Sequence, residues 1–475
     1  MAHQDQGRGR SECSHAYDLH KALRWLTVGA SLCGMVFRHD CTWTPQTLGF
    51  AALLWAWSDE KTLTERFATS RKIIINRYGK QQEPAGSYQA FIKMLCKWTE
   101  PLRQVLAAAF RQRMIETMAA VWMVGKWLVF AVDGSRVDVP RTRRNEERYS
   151  PKSKLSREAQ KRRRRHRRDR RRRALQAARE RKANVPRIWL TMLWHVGSGL
   201  PWDWRTGPSD SSERGHLQEM LGSVPAGSLL TADAGFVGYD FWKTVLDGGH
   251  QLLIRVGSNV KLLKKLGYAR ERDGLVYLWP DRAAKKRLPP LVLRLAVVTS
   301  TERGPIYLVT SVMSREALSD AEMAALYRKR WGIEVYYRHC KQTFERRKLR
   351  SQNPDNAMVE LHWALLGMWA MGLHSHSRLV AQGVSPERIS FAGIWRAYRR
   401  PMREYKSSPD PGERMKDLID RAIIDPYKRK NKASRDYPRK KQEQATGAPI
   451  LRRATRAQVQ QAAQVKREQK KGLTA

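Results

Sequence analysis

The sequence is poor in cysteine and in the short motifs that bind zinc or nucleotides. Five cysteines stand among 475 residues, and none forms a Cys-x-x-Cys pair. Such scattered thiols exclude a disulfide framework, disfavour a structural zinc site and indicate a reducing compartment. The sequence has no His-Glu-x-x-His, Walker A or Gly-x-Gly-x-x-Gly motif. This argues against a zinc protease, an NTPase or a dinucleotide enzyme, so we expect no nucleotide cofactor.

Long apolar runs are missing as well. The two most apolar stretches, 23–37 and 48–57, are short, and Arg24 interrupts the first. A bilayer span needs about 20 apolar residues. The polar residues 1–15 lack the charged-then-apolar order of a signal peptide. We therefore expect a cytoplasmic protein with no membrane partner.

Acidic residues are scarce relative to basic ones. The chain has 90 Lys and Arg against 45 Asp and Glu, a formal net charge of +45, and its pI is near 10.6. This excess indicates a polyanionic partner, and nucleic acid is the first candidate. Hydrophobic residues make up 41% of the chain, with 17 Trp, which excludes a wholly disordered polymer and allows two or three domains.

The basic charge is concentrated in two segments of low complexity, residues 152–182 and residues 428–475. Residues 152–182 hold 17 Lys and Arg, and we interpret them as an Arg-rich insertion between two core strands. A localisation signal, a nonspecific DNA contact and a solvated loop are the alternatives. We favour DNA affinity that falls steeply with salt. Residues 376–475 are predicted to be a helical, basic region that ends in a flexible tail.

Residues 1–125 and 126–375 differ in their apolar pattern. In the first segment apolar residues recur every three or four positions, which predicts a helical N-terminal domain. A plain helical bundle and a domain that binds DNA ends both remain open for it. The second segment predicts three strands, a helix, a strand, a helix and a strand, the order of a ribonuclease-H-like α/β core. Residues 259–313 are rich in strands and predict a β insertion before the last helix. Within the insertion, Trp279 is interpreted as a core residue, with base stacking as the alternative.

Three acids stand where this core would bring them together. Asp133 and Asp233 each follow an apolar run and are predicted to end a buried strand, while Glu334 lies on the last helix. Phosphodiester cleavage uses two divalent ions, and Mg²⁺ or Mn²⁺ prefers carboxylate oxygens. The structural alternative is that each Asp caps a turn and that Glu334 forms an ordinary surface ion pair with Arg330.

Glu334 shares a helical stripe with two cations and a phenol. Tyr327, Arg330, Glu334 and Lys341 are spaced to fall within roughly 60° of one another at about 100° per residue. This places an acid between cations in a strongly basic protein. The pattern favours a site that binds a metal ion and a phosphate together.

The helical stripe and the two aspartate motifs together carry a resemblance to a known family. Residues 327, 330, 334 and 341 match the Tyr-Arg-Glu-Lys signature of bacterial insertion-sequence DDE transposases of the "insertion sequence four" type at every position. Asp133-Gly-Ser resembles the first acidic motif of that family, and Asp233-Ala-Gly-Phe resembles the second. The resemblance spans roughly residues 127–375 and implies the ribonuclease-H-like catalytic domain.

The resemblance also implies roles and partners. Asp133, Asp233 and Glu334 would be the catalytic acids and would bind two Mg²⁺ or Mn²⁺ ions. Tyr327, Arg330 and Lys341 would contact the DNA phosphates near the cut. The expected partners are the terminal inverted repeats and the target DNA, with a dimer in the DNA complex, and the expected location is the bacterial nucleoid.

Two other functions remain open at this point. A metal-dependent nuclease or resolvase of the same fold would cut DNA without joining it. A catalytically inactive derivative would only bind DNA.

Overall fold

The computed structural model of the protein describes most of the chain. The described residues are 14–30, 32, 35–37, 41–79, 84, 86–151, 185–257, 266–268, 275–278, 288–300, 304–410, 412–424, 448–449, 451–453 and 455–471. The predicted Arg-rich insertion at 152–182 and Trp279 lie outside this part of the chain.

One mixed sheet of ten strands forms the centre of the described fold. The strands are β1 (Val129–Asp138), β2 (Arg187–His195), β3 (Leu200–Gly207), β4 (Leu229–Ala232), β5 (Gln251–Val256), β6 (Leu266–Tyr268), β7 (Leu275–Leu278), β8 (Leu291–Ser300), β9 (Gly304–Thr310) and β10 (Leu451–Arg453). Their order in the sheet is β10-β6-β7-β8-β9-β5-β4-β1-β2-β3. β1, β4 and β5 run parallel, and β2 and β3 pair antiparallel beside β1. This arrangement of the first five strands confirms the predicted ribonuclease-H-like core.

Helices cover the sheet and extend beyond it. They are α1 (His15–Thr27), α2 (Pro45–Trp57), α3 (Leu63–Tyr78), α4 (Tyr88–Thr117), α5 (Arg143–Tyr149), α6 (Glu213–Met220), α7 (Tyr239–Asp247), α8 (Asp320–Lys329), α9 (Trp331–Arg338), α10 (Pro354–Ala381), α11 (Phe391–Arg403), α12 (Met415–Asp420) and α13 (Arg456–Lys471). Among the described residues, no helix combines the length and the apolar character needed to cross a membrane.

The predicted β insertion extends the same sheet. β9 pairs with β5, and β8, β7 and β6 follow in antiparallel order. The insertion before the last helix is therefore confirmed as part of the fold. Part of the region predicted to be a flexible tail is folded instead. β10 pairs with β6, and α13 follows β10 in the chain. Ala462 of α13 is buried against Val292 of β8, and this apolar contact holds the helix on the sheet.

Helix α10 joins the N-terminal helices to the sheet. Most of its length is buried, as expected of a helix that is apolar on all sides. The Trp57 indole donates a hydrogen bond to the Gly367 carbonyl at 2.9 Å, and the Trp363 indole donates to the Thr99 hydroxyl at 2.8 Å. The helices of the predicted N-terminal domain therefore share one hydrophobic core with the α/β core.

Strand β1 is longer than the sequence predicted, and this corrects the position of Asp133. The strand does not end at Asp133 but continues to Asp138, because β2 remains paired with it from Phe130 to Asp138. On the other side the pairing with β4 stops at Ala131. Asp133 therefore lies within a strand, at the point where one neighbouring strand has ended.

The last helical segment of the core is divided. Ser319 and Glu322 form the predicted capping box at the start of α8. Arg330 connects α8 to α9 with helical backbone angles, and a five-residue π-helix, His339–Thr343, follows α9. Gly332 lies at the start of α9 against the buried ring of Trp194 on β2, and a Cβ at this position would stand 2.1 Å from the Trp194 Cη2.

We predict that Gly332→Ala destabilises the fold. The added methyl group requires α9 or Trp194 to shift, and overpacking of this kind costs about 1–3 kcal/mol. Urea unfolding followed by tryptophan fluorescence measures the effect. Gly222→Ala is the matched control, because nothing lies within 4 Å of a Cβ there. Equal unfolding midpoints for the two variants would show that α9 does not pack tightly on β2.

Candidate active site

Asp133 is fixed by its strand and by a tyrosine from α9. Its Oδ1 accepts a hydrogen bond from the Gly134 amide at 2.9 Å, and the Tyr337 hydroxyl donates to the Asp133 carbonyl oxygen at 2.8 Å. Burial raises the pKa of Asp133 to about 6; Arg330 lowers it, and Asp233 and Glu334 raise it. The Asp133 carboxyl group is therefore within electrostatic range of both other predicted acids.

Asp233 directly follows β4, whose four residues are all buried. It caps the short 3-10 turn Ala234–Phe236, with its Oδ1 accepting a hydrogen bond from the Gly235 amide at 2.8 Å. Asp233 therefore does cap a turn, as the structural alternative predicted. It does not account for the position of Asp233 beside Asp133, which follows from the parallel pairing of β1 with β4.

Glu334 is held by Arg330. The Arg330 Nη2 lies 2.8 Å from the Glu334 Oε1, and the side chains are 8% and 32% exposed, respectively. The predicted ion pair exists, but the burial of Arg330 distinguishes it from an ordinary surface pair. The Arg330 Nε is buried and makes no hydrogen bond of normal geometry within the described part of the chain.

In the sequence, Tyr327 precedes the Arg330–Glu334 ion pair and Lys341 follows it. The Arg330 guanidinium stands over the Tyr327 ring at 5.3 Å, and the buried Tyr327 hydroxyl has no hydrogen bond of normal geometry to any described residue. Burial raises the pKa of Tyr327, while Arg330 and Arg255 lower it. The Lys341 Nζ donates to the Ser135 hydroxyl at 2.6 Å, and burial lowers the pKa of Lys341.

The six predicted residues therefore surround one region of the molecule. The acids come from β1, from the end of β4 and from α9, and the phenol and the cations come from the α8–α9 segment and the π-helix that follows it. The electrostatic influence of Arg330, Asp233 and Glu334 on Asp133 reflects this proximity.

Glu213 is a fourth acid of this region, and sequence reasoning missed it. It is the first residue of α6, and its carboxylate lies beside both aspartate motifs. Burial raises the pKa of Glu213 to about 7, with further increases from Asp233 and Asp133. The available signal was its position directly after the Ser212 cap of the helix that follows the third core strand.

Arg255 on β5 was also missed. Its charge lowers the pKa of Tyr327, which places it near the same region. A cation inside the otherwise apolar strand sequence QLLIRV was the signal that could have identified it.

The carboxylates of the site are the type of ligand that a hard divalent cation prefers, although they are not gathered around one point among the described residues. No group of three or more His, Cys, Asp or Glu side chains in the described ranges is gathered closely enough to hold a metal ion. Glu334 is instead bound to Arg330. The donors are nevertheless carboxylate oxygens, the ligands that Mg²⁺ and Mn²⁺ prefer. Burial is the main cause of the raised pKa values of Asp133 and Glu213, neighbouring carboxylates add to it, and a bound cation would offset both effects.

Comparison with known proteins places this arrangement in context. The chain is 27% identical over 197 residues to the transposase InsG for insertion sequence element IS4 of Escherichia coli (strain K12), a match that covers 39% of this chain and 44% of that protein. It is 25% identical over 154 residues to the putative transposase y4zB of Sinorhizobium fredii (strain NBRC 101917 / NGR234), covering 30% of this chain and 42% of that protein. The chain thus matches less than half the length of each of these curated relatives.

A solved structure and a family model complete the comparison. The piggyBac transposase, determined by cryo-electron microscopy in a synaptic complex with hairpin DNA, aligns with 88% of this chain and 85% of its own, at 11% identity and a TM-score of 0.39. The family model described as "Transposase DDE domain" matches residues 126–369. Because this match covers more than half of the chain, the chain belongs to the DDE transposase family.

Proposed function

We propose that the protein binds the terminal inverted repeats of its own element, cuts the DNA at the element ends and joins the freed 3′-hydroxyl groups to target DNA. The observation that supports this proposal is that Asp133 lies within electrostatic range of Asp233 and Glu334, which come from two other elements, and of Arg330 and Lys341. Membership of the DDE transposase family supports the reaction class.

In this proposal Asp133, Asp233 and Glu334 are the catalytic acids and hold two Mg²⁺ or Mn²⁺ ions. Such ions, when bound, activate a hydroxyl nucleophile and stabilise the leaving oxygen of a phosphodiester. The protein contributes fixed positions for the carboxylates. β2 and the Tyr337 hydroxyl hold the backbone of Asp133, and the 3-10 turn holds Asp233.

Tyr327, Arg330 and Lys341 bind the DNA backbone next to the acids. Buried donors without a partner are uncommon in folded proteins and need an explanation. The Arg330 Nε and the Tyr327 hydroxyl make no hydrogen bond of normal geometry among the described residues, and the Tyr327 hydroxyl interacts with the Arg330 side chain itself. A DNA phosphate would accept hydrogen bonds from both, and its charge would strengthen the bond from Arg330.

The remaining assignments follow from this role. Residues 126–375 form the catalytic domain, 1–125 form a helical domain that contributes to binding of the DNA ends, and 376–475 form a basic C-terminal region. Bringing two element ends together requires at least a dimer in the DNA complex. The net charge of +45 supports extensive contact with the DNA backbone.

Glu334→Gln tests the proposed chemistry. We expect Mg²⁺-dependent cleavage of cognate ends to fall by more than roughly 100-fold, the loss that even residues supporting a metal ligand can produce. Cleavage and joining are measured on a plasmid that carries the inverted repeats. Joined products from the wild-type protein distinguish a transposase from a nuclease of the same fold.

Two further variants keep this test decisive. Glu316→Gln, at an exposed position outside the site, is the control and retains full activity. Asp233→Asn repeats the test without removing the partner of the buried Arg330 side chain. Wild-type cleavage by both Glu334→Gln and Asp233→Asn would refute the proposed roles of these acids.

Lys341→Ala tests the phosphate contact. We expect weaker binding of the DNA ends, and a slope of log affinity against log salt that is smaller by about one. Fluorescence anisotropy at several salt concentrations measures both quantities. Lys243→Ala is the control, because Lys243 is paired with Asp247 on α7. An unchanged salt slope in Lys341→Ala would remove Lys341 from the DNA interface.

The raised pKa of Asp133 predicts a pH-dependent stability of the metal-free protein. Its pKa is about 6 in the folded chain against an ordinary value of 3.8, so the folded state holds the proton more tightly than the unfolded state. Ionised Asp133 therefore destabilises the fold above about pH 6, and this penalty disappears as the pH falls toward 4. Asp133→Asn should melt at a higher temperature than wild type near pH 8 in EDTA, with the difference shrinking toward pH 4. A difference that does not vary with pH would contradict this.

A further inference from the structure

We infer that Glu213 is a fourth carboxylate of the active site and binds a divalent cation together with Asp133 and Asp233. This inference rests on the proposed function, and it adds a residue outside the three predicted acids.

The geometry of two glycines carries the inference. The Glu213 Oε1 lies 2.0 Å from the point where a Cβ on Gly134 would stand. For Gly235, the corresponding point lies 3.6 Å from the Glu213 Oε2 and 3.0 Å from the Asp233 Oδ1. The Glu213 carboxylate therefore occupies the space between the residue that follows Asp133 and the turn that begins at Asp233.

Backbone conformation does not explain these two glycines. Neither Gly134 nor Gly235 has a positive φ, so an ordinary residue could adopt their backbone angles. A side chain at 134 would displace the Glu213 carboxylate, whereas at 235 the tight neighbour is the Asp233 Oδ1 and the Glu213 Oε2 lies at ordinary contact distance. The two glycines thus form a cradle in which one carboxylate reaches both aspartate motifs.

The helix start fixes Glu213 in this cradle. The Ser212 hydroxyl accepts a hydrogen bond from the Gly215 amide at 3.3 Å and sets the first residue of α6. α6 itself packs on β1, β2 and β3, the strands that carry or support Asp133. The fold therefore sets the backbone position from which the Glu213 side chain extends toward the two aspartate motifs.

Glu213 also lacks the partners that structural carboxylates have in this protein. Glu360, for comparison, accepts hydrogen bonds from the Arg350 and Ser351 amides and from the Ser351 hydroxyl. No donor among the described residues forms a hydrogen bond or an ion pair with the half-buried Glu213 carboxylate. Its neighbour Arg214 donates instead to the Val237 carbonyl oxygen. Arg136 and Arg214 act on Glu213 electrostatically without forming an ion pair with it, and Asp233 and Asp133 act on it more strongly. A half-buried carboxyl group without a paired cation, next to two further carboxylates, has the surroundings of a cation ligand rather than of a structural residue.

The number of available donors supports the same conclusion. Glu334 is engaged by Arg330, and one oxygen of each aspartate accepts a backbone hydrogen bond. Hard divalent cations take about six or more oxygen ligands. Glu213 provides an additional protein oxygen donor.

Manganese binding by Glu213→Gln tests the inference without an activity assay. The full-length protein is titrated with Mn²⁺ alone, and the free ion is measured by electron paramagnetic resonance. We expect the Mn²⁺ affinity to fall at least about tenfold. The metal-free melting temperature should stay equal or rise, because the substitution removes one of several repelling charges. Glu219→Gln, an exposed change on the same helix, should retain wild-type affinity and is the control.

Asp133→Asn separates failure of this inference from failure of the proposed function. Loss of Mn²⁺ binding in Asp133→Asn with unchanged binding in Glu213→Gln would overturn the role of Glu213 and leave the proposed site intact. Wild-type binding in both Asp133→Asn and Asp233→Asn would overturn the proposed site itself. A lower metal-free melting temperature with unchanged Mn²⁺ affinity in Glu213→Gln would assign Glu213 a structural role and refute the inference.

Discussion

The burial of several carboxyl groups near one another is the constraint on which the rest of the structure depends. Burial and the nearby negative charges of Asp233 and Glu334 raise the pKa of Asp133, and Glu213 experiences the same two effects from burial and the aspartates. Such a group of anions does not form spontaneously, because each one is more stable in water. The surrounding fold must supply the free energy that holds the acids together.

The backbone supplies part of that free energy. Parallel pairing brings Asp133 and Asp233 to neighbouring positions, and the hydrogen bond from Tyr337 ties α9 to the same strand. Buried packing elsewhere, above all around α10 and between Gly332 and Trp194, stabilises this arrangement against the repulsion. Arg330 offsets part of the negative charge from within the site, since its guanidinium lowers the pKa of Asp133 and binds Glu334.

Much of the fold follows from local sequence pattern, and so does the position of Asp133 and Asp233 on or directly after neighbouring strands. Apolar runs identified the strands, and the capping box at Ser319 identified the start of α8. The end of β1 was predicted wrongly, because the pairing that extends it comes from β2, about fifty residues further along the chain. The π-helix at Lys341 and the docking of α13 on β8 likewise depend on tertiary contacts that a local pattern does not contain.

Glu213 shows most clearly why sequence reasoning is incomplete at a site of this kind. An acid at the first turn of a helix is favoured by the helix dipole, so Glu213 in isolation indicates only an ordinary helix start. Its significance comes from the missing side chain at Gly134, whose space its carboxylate occupies, and from its closeness to Gly235; both glycines are distant in sequence and look like common turn glycines. Only the folded chain brings the acid and the two glycines together. A residue such as Glu213, which local sequence explains fully as a helix start, can thus also be a proposed cation ligand because of its tertiary neighbours.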